Sequence, residues 1–372
     1  QNGLFLRSHA QLFMTPCISL AALKTNLSES IDIFADVLLN PAFDAQEFSR
    51  LQKQAVAGIQ QERSTPAGAG LRVLPALLFG ADHAYGNPLS GSGTEASVQA
   101  LMPADLKKFH ETWFKPNNAT LIVVGDTTLA EMSALLETAL GGWARGEVPA
   151  MAAGKVALAQ SSRVFLIDRP GAQQSYIFAA LVAPPPAQVN EEAVDTMNRV
   201  FGGTFTSRIN MNLREDKHWS YGARSSLYDG RIQRAFVATA PVQTDKTRES
   251  LVELSKELDE IVGARPITEE ESAKSIQNQV LRLPGLWETS GAVKSSLREM
   301  VAYGLPDDYF DSYADRIRGL ALADVTKAAN EVIHPASVTW LVVGDLALVE
   351  QGVRDLGLGP VTVIADESAV LK

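Results

Sequence analysis

Asp105-Leu-Lys-Lys-Phe-His-Glu-Thr-Trp-Phe-Lys-Pro116-Asn-Asn-Ala-Thr-Leu-Ile-Val-Val-Gly-Asp126 returns without a gap as Asp324-Val-Thr-Lys-Ala-Ala-Asn-Glu-Val-Ile-His-Pro335-Ala-Ser-Val-Thr-Trp-Leu-Val-Val-Gly-Asp345. The offset is 219 residues throughout, and the opening Asp, a Lys, the Pro, a Thr and the closing Val-Val-Gly-Asp coincide. Each copy reads as a helix, a proline that stops it, and a buried strand ending at Gly-Asp. So long a period excludes a solenoid, whose units run to about 20–50 residues, and indicates a duplicated domain. An aspartate closing a strand can also mark a metal or nucleotide site. The simpler reading is that each ends a strand just ahead of a helix, as Thr128-Leu-Ala-Glu131 forms a capping box.

Working outward, the stretch Gly146-Glu-Val-Pro-Ala-Met-Ala-Ala-Gly154 is poor in large apolar groups and marks the boundary. The expected layout is a first domain over 1–148, a linker over 149–160 and a second domain over 161–372. In the first, Asn26-Leu-Ser-Glu29 starts a helix with Ile31, Phe34 and Leu38 on one face, ended by Pro41. Asp44-Ala-Gln-Glu47 starts another, with Phe48, Leu51, Ala55 and Ile59 on one side. In the second, Arg163–Asp168 and Ser175–Ala180 read as strands, and Asp229-Gly230 as a hairpin. Leu251, Leu254, Leu258 and Ile261 line a helix ending near Pro266, and Thr268–Glu271 starts the next. This mixture predicts an α+β fold, with an antiparallel-rich sheet and helices on one face in each domain.

With 372 residues, 46% hydrophobic and 20% charged, the chain has the composition of a globular protein of two ordinary domains. A formal charge of −10 argues against nucleic acid, which needs clustered Lys and Arg. No run approaches the ~20 apolar residues of a membrane span. Cys17 is the only cysteine, which excludes an intrachain disulfide and a Cys-based zinc site, and it reads as a small core residue. The five histidines, His9, His83, His110, His218 and His334, include no pair four residues apart.

The segment Asn198-Arg-Val-Phe-Gly-Gly-Thr-Phe-Thr-Ser-Arg-Ile-Asn-Met-Asn-Leu-Arg214-Glu-Asp-Lys-His-Trp-Ser-Tyr221 reads as a helix, a Gly202-Gly203 break, a second helix, and a strand opening at Tyr221. Together with Phe34–Phe43, Pro116–Asp126 and Asp168-Arg-Pro-Gly171, it resembles the pitrilysin-type (insulinase-like) zinc metallopeptidases, including the mitochondrial-processing-peptidase type. The resemblance implies two homologous α+β domains facing each other as a clam-like chamber. It also implies substrate-binding roles for Arg214 and Tyr221, which would hydrogen-bond peptide near the scissile carbonyl, with Gly202 and Gly203 beside them. Taken alone, Leu-Arg-Glu on a helix is a solvated face, and a tyrosine at a strand start is packing. His218 reads as a surface histidine, His83-Ala-Tyr85-Gly86 as a packing turn, and His110 and Trp113 as helix-face residues.

The departures decide the functional expectation. Active members hold zinc with His-x-x-Glu-His and a later glutamate, leaving a position for water. Here Gly58 aligns at the later ligand position, and Glu62, one turn on, is the nearest carboxylate. The paired histidines would precede residue 1, so the first domain reads as truncated at its start. The expectation is therefore a non-catalytic subunit of a heterodimeric zinc metallopeptidase. It has no catalytic zinc chemistry and no metal of its own, with zinc on a homologous catalytic partner and peptide as the substrate. The alternatives are a structural or peptide-binding scaffold, or an active enzyme whose His motif lies outside the chain. Family habit suggests the periplasm, with the cytoplasm as the alternative.

Overall fold

Gln174–Ala183 and Thr339–Gly344 are nearly continuous apolar runs, the pattern of strands covered on both faces. The computed structural model describes residues 3–6, 16–150, 153–228 and 230–371, and the elements below are those of the described residues. In the first half these are strands β1 (Gly3–Leu6) and β2 (Ile18–Ala21), followed by helices α1 (Leu27–Leu39), α2 (Ala45–Ser64) and α3 (Pro66–Phe79). Helices α4 (Glu95–Ala100), α5 (Pro103–Trp113) and α6 (Leu129–Leu140) complete it. The second half begins with β3 (Arg163–Asp168), β4 (Gln174–Ala183), α7 (Glu191–Asn198), α8 (Arg208–Asn210), β5 (Arg224–Tyr228) and β6 (Arg234–Gln243). It continues through α9 (Thr247–Ile261), α10 (Glu269–Leu286), α11 (Ser290–Tyr303), α12 (Tyr313–Arg318) and α13 (Leu322–Val332). Strand β7 (Thr339–Gly344), helix α14 (Leu346–Arg354) and strand β8 (Val361–Ile364) close it.

The α+β class is as the sequence predicts. Six strands form one mixed sheet in the order β5-β6-β4-β7-β3-β8. Pairing is antiparallel from β5 through β7 and parallel where β3 meets β7 and β8. Period-two alternation along β4 sorts the core. Ile177, Ala179 and Leu181 pack with α7, α9 and α13, while Phe178, Ala180 and Val182 pack with α3. Helices therefore cover both faces of this sheet, where the sequence pattern predicts them on one. The covering helix comes from the first half: Val73, Leu74, Leu77 and Phe79 of α3 are buried against it.

The helix starts read from sequence are in place. Asp44 accepts from the Glu47 N–H at 2.8 Å, and Thr128 and Thr268 form reciprocal capping boxes with Glu131 and Glu271. The apolar face assigned to α2 is not a core face, however: Ile59 is buried while Leu51 and Ala55 are exposed. Cys17 is half-buried and lies outside the core clusters, not in a core as expected.

The two copies of the repeat part company at their strands. Helices α5 and α13 occupy equivalent positions, and Pro116 and Pro335 each open a short 3-10 turn beyond them. In the second copy β7 is flanked by β4 and β3. In the first copy, 119–125 are irregular, in place of the expected buried strand. Leu121 and Val123 are 47% and 46% exposed, against 2% and 0% for their counterparts Trp340 and Val342. A strand needs partners for its N–H and C=O groups, and among the described residues no strand pairs with this segment. The Asp229-Gly230 turn falls partly outside the described residues, but β5 and β6 pair as a hairpin around it, Tyr228 opposite Ala235. His9 also lies outside them.

Candidate functional site

The segment from Arg199 to Tyr221 is built from two wide helical turns. Helix α7 opens into a π-helical turn over Arg199–Gly203, and α8 into another over Met211–Asp216. Such turns are uncommon and cluster at functional sites. Gly202 is buried, and a Cβ there would lie 2.4 Å from Ser225 Oγ, 2.5 Å from Ser225 N and 2.7 Å from Ile209 Cδ1. Its role is close approach between the turn and β5. Neither Gly202 nor Gly203 has the left-handed backbone with which a glycine usually ends a helix. Gly203 is exposed, and a Cβ on it would crowd Asn198.

Buried and half-buried side chains tie this segment down. Asn198 accepts from Ser225 Oγ at 2.6 Å. Asn210 donates through Nδ2 to the Phe205 carbonyl at 2.6 Å and accepts from the Ala223 N–H at 3.1 Å. Arg208 is buried and donates to both carboxylate oxygens of Glu271, at 2.7 and 2.6 Å, and to the carbonyls of Arg265 and Pro266. Burial pushes the Glu271 carboxyl up, but the hydrogen bonds from Arg208 and Thr268 outweigh it and hold it down at about 2.

Beyond the second wide turn the chain reverses at His218, whose φ is +58°. Its ring Nδ1 lies 3.1 Å from the Arg214 carbonyl, so it serves as a helix-end donor, and the residue is exposed. The N–H groups of Trp219 and Ser220 both donate to the Leu213 carbonyl, at 3.0 and 3.3 Å. Gln243 at the end of β6 donates from its backbone to the Trp219 carbonyl and from its side chain to that of His218. Ser220 Oγ donates to the Pro241 carbonyl at 2.6 Å. Strand β5 then starts at Arg224, three residues later than the expected opening at Tyr221.

Arg214 and Tyr221 thus stand at either end of one short, multiply pinned segment. Tyr221 is 84% exposed. The Arg214 guanidinium lies over the Phe205 ring, 4.6 Å from its centroid, and its Nε is 3.2 Å from Glu215 Oε1. No hydrogen bond joins Arg214 to Tyr221 among the described residues, and with Tyr221 exposed and the Arg214 side chain 41% exposed both are accessible to solvent.

The first-half residues are engaged otherwise. Gly58 is exposed, with nothing within 4 Å of a Cβ built on it. Glu62 accepts from Arg72 at 2.8 Å, Ser90 at 3.0 Å and Ser92 at 2.8 Å. Arg72, 1% exposed, also makes a two-pronged contact with Glu367. His83 accepts from the Tyr85 N–H on Nδ1 and meets the Gly154 carbonyl with Nε2, while His110 Nε2 meets the Leu38 carbonyl. Among the described residues no three His, Cys, Asp or Glu side chains come together to hold a metal. All three of the Glu62 bonds fall on Oε2, which ties that oxygen to Arg72 and to the Ser90–Ser92 turn. No helix is long and apolar enough to cross a membrane among the described residues.

Comparison with known proteins gives a match to the family described as Peptidase M16 inactive domain at residues 100–279. An uncharacterized zinc protease of Mycobacterium leprae is 24% identical over 212 residues, covering 57% of this chain and 47% of that protein. The chain therefore spans about half the length of the curated relatives that it matches at this level. Among solved structures, the peptidase M16 inactive domain from Pseudomonas fluorescens superposes with a TM-score of 0.84 at 19% identity, covering 92% of this chain and 81% of that one. The first half of the periplasmic protease PqqL from Escherichia coli superposes with a TM-score of 0.71 at 14% identity, covering 95% and 79%. At these identities the likeness is one of fold.

Proposed function

We propose, from the match of residues 100–279 to the Peptidase M16 inactive domain, that the chain is a member of that family and holds peptide for a zinc-dependent peptidase without itself supplying the zinc site. The observation that carries this is the pinned Arg214–Tyr221 segment, which presents two donors to solvent while Glu62 is bound to Arg72. In this reading a homologous catalytic subunit forms a heterodimer with the chain and brings the zinc and the general base. Residues 1–148 and 161–372 are the two halves of the chamber wall, joined through 149–160, with the exposed Gly203 lining the peptide path and the buried Gly202 packing its turn against β5. The periplasm is the proposed compartment, by likeness of fold to the periplasmic protease PqqL.

Peptide hydrolysis by the complex isolated from its native source tests this, with metal analysis of each separated subunit. Tyr221→Phe removes one donor to a developing oxyanion and should lower kcat by about 10²–10³-fold. Arg214→Ala should raise KM and lower kcat together, because a charged anchor is lost. Both variants should retain the wild-type melting temperature. One tightly bound zinc in this subunit, or full activity in both variants, would overturn the proposal. A complex that never hydrolyses peptide would favour the scaffold reading.

A further inference from the structure

Phe205 is a large apolar residue left 58% exposed on the same segment as the proposed grip. An exposed phenylalanine needs no explanation by itself, but two observations give this one a role. Its ring carries the Arg214 guanidinium 4.6 Å from its centroid. Its carbonyl accepts from Asn210 Nδ2 at 2.6 Å, and the other end of that carboxamide accepts from the Ala223 N–H, two residues past Tyr221. Asn210 is buried, so the bracket is rigid. One amide thus fixes the backbone beneath the ring and the backbone behind Tyr221 in a single frame.

We infer that Phe205 is a positioning residue for Arg214. Its ring face holds the guanidinium in one orientation, and Asn210 sets that orientation relative to Tyr221. This rests on the reading that Arg214 meets peptide, and it deepens it. A free arginine side chain is rotamer-rich, and ordering it only when peptide arrives weakens binding. A guanidinium stacked beforehand on an aromatic face binds without that loss. Glu215, 3.2 Å from Nε, restrains the same group from another side. Phe205 stays 58% exposed with the guanidinium against its ring, so the peptide favoured here is an extended one with an apolar side chain alongside the bound carbonyl.

The test has two readouts on the full chain. The first is the Arg214 Nε–Hε resonance in nitrogen-15-labelled protein, assigned through Arg214→Lys. Ring-current shielding should displace it in the wild type. Phe205→Leu, which keeps an apolar side chain but has no ring, should return it to the range of free arginines, and Phe205→Trp should keep it displaced. The second is binding of fluorescein-labelled β-casein, an unfolded apolar chain, by anisotropy. Phe205→Leu should weaken binding about 2- to 5-fold, the scale of an exposed cation–π contact, and Phe205→Trp should restore it. In the Arg214→Ala background Phe205→Leu should add nothing. An unchanged resonance in Phe205→Leu, or full additivity of the two substitutions, overturns the positioning role. If Arg214→Ala binds β-casein like the wild type, or the wild type does not bind it, the grip itself fails and the positioning role falls with it; the resonance then shows whether the stacking survives as structure alone.

Discussion

At Gly202 a single methyl group would reach the backbone of β5 and the side chain of Ile209. Gly202→Ala should therefore destabilise the chain by about 1–3 kcal/mol, the usual result of forcing volume into a packed contact, and displace the start of β5. Urea unfolding measures the first effect. Heteronuclear NMR shifts over 220–226 report the second, and an unperturbed spectrum would contradict the assigned contact. Glu271 offers a prediction in pH. Its carboxyl falls from an ordinary 4.5 to about 2 in the fold, so the stability it lends is complete above the unfolded value and is lost as pH falls through about 2. With the carboxylate 32% exposed, solvent screening reduces the effect to about 1–2 kcal/mol. Glu271→Gln should lower stability at pH 7 and flatten its fall below pH 4.5, as denaturant melts across that range would show. Arg214 and Tyr221 stand out in the sequence only through the resemblance of their segment to the pitrilysin-type metallopeptidases; taken alone they read as a solvated helix face and a packing tyrosine. Asn210 and Arg208 could not be read as anchors, since their partners, Ala223 and Glu271, lie 13 and 63 residues away.

Helix α3 is the element whose role was least legible. Its sequence, Pro-Ala-Gly-Ala-Gly-Leu-Arg-Val-Leu-Pro-Ala-Leu-Leu-Phe, is apolar on nearly every side, which signals burial but not what buries it. The answer lies in β4 and β7, read as strands in isolation although their unbroken apolar character calls for cover on both faces. Leu74 is fully buried in that contact, and Leu74→Ala should cost about 2–5 kcal/mol by thermal or urea melt. Arg72 on the same helix is held between Glu62 and Glu367. Arg72→Ala leaves two partly buried carboxylates without their counter-charge and should cost about 3 kcal/mol. A loss in Arg72→Ala no greater than that of a surface substitution would show that solvent replaces the guanidinium. The 119–125 segment carries the opposite lesson. Its apolar run reads as a strand as clearly as Thr339–Gly344 does, but the neighbours that turn such a run into a strand are not encoded within it.

For the molecule as a whole, the six-stranded sheet draws one cover from its own half and the other from the first. A fragment of residues 161–371 would therefore expose Phe178, Val182, Val237, Leu341 and Val343, which α3 otherwise packs against. That fragment should bind the dye ANS and self-associate on size-exclusion chromatography, and co-expression with residues 16–150 should suppress both. A monodisperse fragment that ignores the dye would show that the second half is self-sufficient. The α+β class was legible because it is written in local patterns. The mutual dependence of the halves is a contact between distant segments, and no local pattern reports it.

The bond from Arg72 to Glu367 spans 295 residues. During synthesis on the ribosome, α3 emerges well ahead of residue 367, and its guanidinium has no second carboxylate until that residue has left the exit tunnel. The sheet face that α3 covers is likewise incomplete until β7 and β8 have followed. Apolar helix surface must therefore wait in the nascent chain while the span between them is made, which is the period in which a chaperone has something to hold.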